Sequence, residues 1–377
     1  MVARIRCDGF LLLLLSDCAS DPCSWCLMTG DVHRCTGPVH SSFHSNEPLV
    51  SIIITNHNYA VYLRDAINSA LGQDYERIEV IVVDDGSTDQ SREVLAEYED
   101  RVQVILKDNG GQSSAFNAGY RQCHGSLAMI LDADDMLEPN AVSRVVNAWT
   151  PGLGEVHFPL RLMNHDGSSR PGLNPNARVA SGDLAAVLLE KGRYIGPPSS
   201  GNVYSRAVLD AIMPVPEETW RHCDCYLETL APFYGHVLAL KEPLGRYRIH
   251  SNNMSRVNDG DRRQIELLIR HDQMQAELLT EFCSRLNLPF RPGAGLSHWC
   301  HLKLLVALER TSDAPTARQA CWRFLRSVWG SKGELTLTAK THLTGWALST
   351  TLLPGFAGRS LVRLAFSRSH FFRRLNP

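Results

Sequence analysis

The chain of 377 residues lacks any run of the ~20 predominantly apolar residues that a membrane-spanning helix requires. It also lacks net charge: 38 Lys+Arg stand against 40 Asp+Glu, a balance of −2 that excludes a polycationic or polyanionic chain. No internal repeat is visible, which removes solenoids and propellers from consideration. The apolar run 10–15 is six residues long. It follows Arg4 and Arg6 as in a secretory signal, but falls short of the ~7–15 apolar residues such a signal uses. Segment 341–358 has no Asp, Glu, Lys or Arg, yet Gly345, Pro354 and Gly355 interrupt it.

Cysteine is sparse after the first 35 residues, which hold Cys7, Cys18, Cys23, Cys26 and Cys35. Cys23 and Cys26, with His33 and Cys35 nearby, offer zinc-ligand types, but their spacing matches no strong zinc pattern. Residues 1–48 therefore read as a Cys-rich extension, either disordered or the product of a start codon placed too early. Scattered cysteines in the remainder point to a reducing cytoplasm. The balanced charge hides an asymmetry, because 18 Lys+Arg and 9 Asp+Glu lie from Arg256 to the end. In the tail, Arg359, Arg363, Arg368, Arg373 and Arg374 are interleaved with Phe366, Phe371 and Phe372. That mixture suits helix packing or an anionic lipid surface, at the inner face of a membrane, better than nucleic acid.

From Leu49 the pattern changes. Val50-Ser51-Ile52-Ile53-Ile54 is a β-branched run suited to a strand buried on both faces. Helical spacing follows over 59–71, then strands over 78–83, 102–106 and 127–131, with a helix over about 113–122. This alternation predicts a doubly wound, mostly parallel sheet in a domain spanning 49–255. Residues 151–198, rich in Pro and Gly, read as loops with short strands such as 156–160. A helix is expected over 224–234 and strands over 237–240 and 247–250. Helical spacing over 262–286, 297–309 and 316–328 makes 256–377 a helical, basic domain.

The chemistry concentrates where strands end. Asp132, Asp134 and Asp135 close the fourth strand, and the C-terminal edge of a parallel sheet is where ligands bind. Clustered carboxylates are hard oxygen ligands that suit Mg2+ or Mn2+, and these ions accompany phosphates. Asp84 and Asp85 end the second strand; either touches a ligand or caps the turn at Gly86-Ser87. Asn109-Gly110-Gly111 before a helix lets backbone approach a ligand and favours an anion.

The ordered set Thr55-Asn56-His57-Asn58-Tyr59, Asp84-Asp85-Gly86-Ser87, Asn109-Gly110-Gly111 and Asp132-Ala133-Asp134-Asp135 resembles the family 2 glycosyltransferases of GT-A fold. Tyr247-Arg248-Ile249-His250 with Asn253 and Ser255 resembles the end of that domain. The resemblance implies a Rossmann-like α/β domain that moves a sugar from a UDP- or dTDP-type donor to a hydroxyl acceptor. It implies that Asp85 accepts from the base, that Thr55 and Asn56 reach the base, and that Asp134 holds the metal with Asp132 on the ribose or the metal's waters. His57 stands where many relatives have Tyr, so it stacks on the base or packs as an ordinary histidine. The resemblance places the proton acceptor at Asp224, for which a helix-capping role is the alternative. Cys223 replaces the family's Glu there, and together with His57 in the place of Tyr this feeds a second reading, a nucleotide-sugar-binding scaffold without turnover. His250 is either a further metal or diphosphate contact or structural, and Arg248 pairs with phosphate or with a surface carboxylate. Haloacid-dehalogenase-type phosphatases also carry Asp-x-Asp, but on the first strand and leading into Thr. Here the pair lies on the fourth strand and leads into Asp135-Met136.

Overall fold

The computed structural model describes residues 47–175, 177–219, 223–251, 253, 262–291, 293–311, 317–331 and 335–352. The Cys-rich extension before residue 47, its signal-like run and the basic tail beyond residue 352 lie outside the described residues.

Strands β1 (Val50–Asn56), β2 (Ile78–Asp85), β3 (Gln103–Lys107) and β4 (Leu127–Asp132) alternate with helices α1 (Ala60–Leu71), α2 (Ser91–Ala96) and α3 (Gln112–Gln122). Next come β5 (Met136–Leu137), α4 (Ala141–Ala148), β6 (Leu153–His157), β7 (Leu160–Asn164), β8 (Ser169–Asn174) and α5 (Leu184–Lys191). Strand β9 (Asn202–Ser205), α6 (Arg206–Ile212), α7 (Asp224–Leu230), β10 (His236–Ala239) and β11 (Gly245–Ile249) complete the strand-bearing part. The main sheet runs β10-β6-β9-β4-β1-β2-β3, with only β9 antiparallel to its neighbours. A smaller sheet, β5-β11-β7-β8, lies beside the carboxylate loop.

Central β1 shows why a predominantly apolar run is needed. Ile52 and Ile54 enter one side-chain layer with Leu63 and Ile67 of α1, whereas Ile53 enters the other with Phe116 of α3. All three isoleucines are fully buried. Period-2 alternation of a strand thus feeds two cores, and the one buried hydroxyl within the run 50–54, that of Ser51, is satisfied by Glu79 and Gly125. Helix α3 approaches β1 closely because Gly119 has no side chain; a Cβ there would lie 2.5 Å from Ile53 Cγ2.

The structure departs from sequence expectation between residues 151 and 198. The single strand expected over 156–160 is two strands, divided at Pro159, whose ring cannot donate to a ladder. Strand β6 joins the main sheet and β7 the smaller one. Helix α5 was not expected, because only Leu184 and Leu188 are buried along it. It is set instead by its ends: Asp183 accepts from Ala186 N at 3.1 Å, and Gly192 stops it with φ +72°. The helix expected over 224–234 ends at Leu230 and tightens into a 3-10 turn at Ala231–Phe233, which contains Pro232.

Helices α8 (Arg262–Arg285), α9 (Trp299–Thr311), α10 (Ala317–Gly330) and α11 (Leu337–Leu352) follow. Leu279, Phe282 and Cys283 of α8 join the same apolar cluster as Leu227 and Leu230 of α7. Helices α9 to α11 share a separate cluster around Val306, Phe324 and Trp346. Among the described residues no helix is long and apolar enough to cross a membrane.

Candidate active site

Strand register assembles the first part of the crevice. Asn56 lies opposite Asp84, and its Nδ2 donates to Asp84 Oδ1 at 2.8 Å and to Ser87 Oγ at 3.1 Å. Ser87 N donates to Asp84 Oδ2 at 3.2 Å, and Asp84 is fully buried. Of its two readings, the structure supports turn-holding: Asp84 has no open face toward a donor. Asn58 holds the same turn, with Oδ1 accepting from Thr88 N at 2.7 Å. Thr55 O accepts from Ala133 N at 3.2 Å, which fastens the end of β1 to the carboxylate loop.

Asp85 carries a larger correction. It sits opposite Lys107 across the β2–β3 ladder, and Lys107 Nζ donates to Oδ1 at 2.6 Å. Gly110 N and Gly111 N donate to its two oxygens at 2.9 and 2.7 Å. The anion at the N-terminus of α3 is therefore the protein's own carboxylate, and these two amides do not face the crevice as expected. Asp85 is 2% exposed. A carboxylate oxygen accepts two hydrogen bonds, so Oδ2 keeps one position for a base. His57 is exposed, with Nδ1 at 2.8 Å from Asp85 O. A carbonyl only accepts, so Nδ1 carries the proton toward Asp85 O; Nε2 accepts from the Asn58 amide at 3.1 Å, and Asn109 Nδ2 stands 3.0 and 3.2 Å from the two ring nitrogens. His57 is thus not a packed histidine; its ring lies at the surface of the crevice.

Gly86 lets these loops meet. Its φ is +72°, and a Cβ there would stand 2.6 Å from Asn109 N. Gly86→Ala should cost at least about 1 kcal/mol from left-handed backbone strain alone. It should also displace Asn109, so a thermal-unfolding scan and a nucleotide titration should fall together. Unchanged affinity in a destabilised protein would separate this loop from the ligand.

The second part is acidic. One oxygen from each of Asp132, Asp134 and Asp135 lies within 4.8 Å of the others. Desolvation, and then the charges of Asp134 and Asp224, push Asp132 up to about 7. Burial, and then the charges of Asp134 and Asp132, push Asp135 well above the ordinary carboxylate range. Such a set repels itself until a cation arrives, and three hard oxygens beside an imidazole fit a divalent ion such as Mn2+ or Mg2+. The three are not equivalent. Asp135 accepts from Arg248 N at 2.9 Å and Ser200 Oγ at 2.7 Å, so it braces the loop and does not cap the helix that begins at Ala141. Asp134 Oδ2 meets His250 Nε2 at 2.8 Å, and Asp132 Oδ1 accepts from Gln112 Nε2 at 2.6 Å. Tyr59 and Tyr62 pack on the His250 ring at centroid distances of 5.5 and 5.1 Å.

Arg248 is 1% exposed and available neither to phosphate nor to solvent. Its guanidinium donates to Asp134 O at 2.8 Å, His165 O at 2.9 Å and Asp65 Oδ2 at 2.8 Å, and lies 4.6 Å over the Tyr62 ring. It ties the carboxylate loop to the β7–β8 hairpin, which walls a cavity of about 680 Å³ beside His250. Asn253, read from sequence only as part of a motif, accepts from His250 N at 2.7 Å and donates to Arg248 O at 2.9 Å.

Asp224 is half-buried in the first turn of α7, and its Oδ1 accepts from Cys225 N at 2.8 Å. The N-cap position belongs to Cys223, whose side chain makes no capping bond. Cys223 is fully buried in the core, and burial with the charges of Asp224 and Asp132 holds its thiol well above the ordinary range. It is packing, not chemistry. Sequence reasoning missed Gln112, Ser199 and Ser200. Gln112 directly follows the Gly-Gly pair, which was the one available signal for it.

A mostly parallel sheet with an acidic crevice at its C-terminal edge, flanked by a small second sheet, is the GT-A class of nucleotide-sugar-binding folds. A mannosyltransferase from Pyrobaculum calidifontis, solved with GDP-Man and Mn2+, shares this fold at a TM-score of 0.50 and 18% identity over 85% of each chain. Residues 51–157 match the sequence profile described as glycosyl transferase family 2. An uncharacterized glycosyltransferase of Nostoc sp. is 37% identical over 212 residues, which is 54% of this chain and 66% of that protein. The hyaluronan synthase of Pasteurella multocida is 37% identical over 142 residues, 36% of this chain and 15% of that one. The matched segment thus spans slightly under two thirds of the Nostoc relative. Over residues 51–157 the chain carries a glycosyltransferase family 2 domain by this match.

Proposed function

We propose that this chain transfers a sugar from a nucleoside-diphosphate donor to a hydroxyl acceptor, with inversion at the anomeric carbon, in polysaccharide or glycolipid synthesis. The observation that carries the reading is the meeting of Asp132, Asp134 and His250 with Asp224 at one crevice, close enough for Asp224 to raise Asp132. Asp134, Asp132 and His250 would hold Mn2+ or Mg2+. When bound, such an ion supplies Lewis-acid stabilisation of the departing diphosphate. His57 offers an exposed ring to the base, and Oδ2 of Asp85 its remaining acceptor position. Asp224 takes the proton from the acceptor hydroxyl. The scaffold reading rests on Cys223 and His57 standing where relatives have Glu and Tyr; the half-buried carboxylate of Asp224 beside Asp132 supports turnover instead.

Calorimetric titration of UDP, dTDP and GDP, first with Mn2+ and then with EDTA, tests the donor site. One nucleotide is expected to bind with Mn2+ and to lose at least about tenfold in affinity with EDTA, a difference of ~1.4 kcal/mol. Equal binding in both conditions would remove the ion from the proposal; no binding of any would remove the donor.

A further inference from the structure

Helices α10 and α11 leave an unusual face in solvent. Cys321, Phe324 and Val328 of α10 turn into the core with Leu343, Trp346 and Ala347 of α11. On the opposite side of α10, Arg318, Trp322, Arg326 and Trp329 recur every three or four residues and form one stripe. Trp322 is 65% and Trp329 51% exposed. On α11, Leu337, Leu348 and Leu352 share one face and are 69%, 41% and 72% exposed. The two stripes adjoin, because Trp329 Nε1 donates to Thr344 Oγ1 at 3.0 Å, one turn from Leu348.

We propose that this face docks on an anionic lipid bilayer, with the tryptophans and leucines in the headgroup region and the arginines on lipid phosphates. Indole is the side chain that prefers the membrane interface, and arginine combines an apolar stem with a phosphate-binding fork. Charge selects this occupant over others. Helix α10 has no Asp or Glu, and from Ala317 to the end ten Lys+Arg face Glu334 alone. A second copy paired on the same face would set arginine against arginine. Residues 353–377 carry five arginines and no carboxylate side chain, so they share its sign. Nucleic acid would leave the three leucines without a partner.

Flotation of the full chain with vesicles of phosphatidylcholine, alone or with phosphatidylglycerol, tests this. Binding is expected only with phosphatidylglycerol and should weaken as salt rises. Arg318→Gln with Arg326→Gln should weaken it about thirtyfold, from the usual contribution of two arginines at an anionic surface. Trp322→Ala with Trp329→Ala should weaken it on phosphatidylglycerol vesicles as well. Circular dichroism and nucleotide affinity should match wild type in both variants, so a failed donor site would be told apart from a failed docking face. Absence of binding to phosphatidylglycerol vesicles overturns the proposal. So does binding that survives both double substitutions, or a dimer in light scattering that the Trp pair abolishes.

Discussion

Asp224→Asn should lower turnover of the sugar nucleotide by about 10²–10⁴, the usual contribution of a positioned general base, while donor affinity stays within about threefold, under ~0.7 kcal/mol. The split follows from geometry. Asn keeps the size of Asp and can still accept from Cys225 N, so the first turn of α7 stands. What disappears is a carboxylate able to take a proton, and one charge beside Asp132. Losing that charge eases the repulsion on Asp132, so the donor side of the crevice should bind no worse. Release of nucleoside diphosphate measured beside calorimetric donor affinity reads both quantities. Activity within tenfold of wild type would move the proton acceptor elsewhere. The next carboxylate on the helix is Glu228, one turn on, but burial and the charges of Asp224 and Glu155 keep it well above the ordinary range. A parallel loss of donor affinity would instead place Asp224 among the donor contacts.

The parallel core was legible because strands buried on both faces are written as predominantly apolar runs, and 50–54, 78–83 and 127–131 are such runs, broken only at Ser51 and Glu79. The carboxylates were legible because they end those runs, and in a parallel sheet strand ends share one edge. Division of labour between neighbours was not legible. Asp84 and Asp85 are adjacent in sequence, but strand alternation turns one into the β1 turn and the other toward Lys107 and the α3 loop. Only the register, Asn56 with Asp84 and Lys107 with Asp85, assigns them. Ser200 escaped for a related reason: it reaches Asp135 from 65 residues along the chain, and sequence spacing holds no trace of that approach.

Arg248 should show the largest loss of stability. On sequence it pairs with phosphate or with a surface carboxylate; in the fold it pairs with the half-exposed Asp65 while its own side chain is interior. The reason is the smaller sheet, where β11 pairs with β7 in parallel and with β5 in antiparallel register. That pairing carries Arg248 beneath the carboxylate loop, where the three branches of one planar fork reach Asp134 O, His165 O and Asp65. Arg248→Met would strand two carbonyls and remove the charge that holds Asp65. Breaking a buried charged arrangement from one side costs roughly 3–5 kcal/mol. Asp65 is 49% exposed at its side chain and can take up water, so the lower end, about 3 kcal/mol, is expected. In a domain of this size that is a fall in Tm of roughly 6–12 °C. Because Asp134 loses its backbone anchor, metal-dependent nucleotide affinity should fall in the same variant. Arg248→Lys discriminates further: one ammonium cannot span three acceptors in a plane, so lysine should restore charge without restoring either property. A lysine variant with wild-type Tm and wild-type Mn2+-dependent affinity would show that charge alone matters there, and that the fork does not hold the metal loop in place.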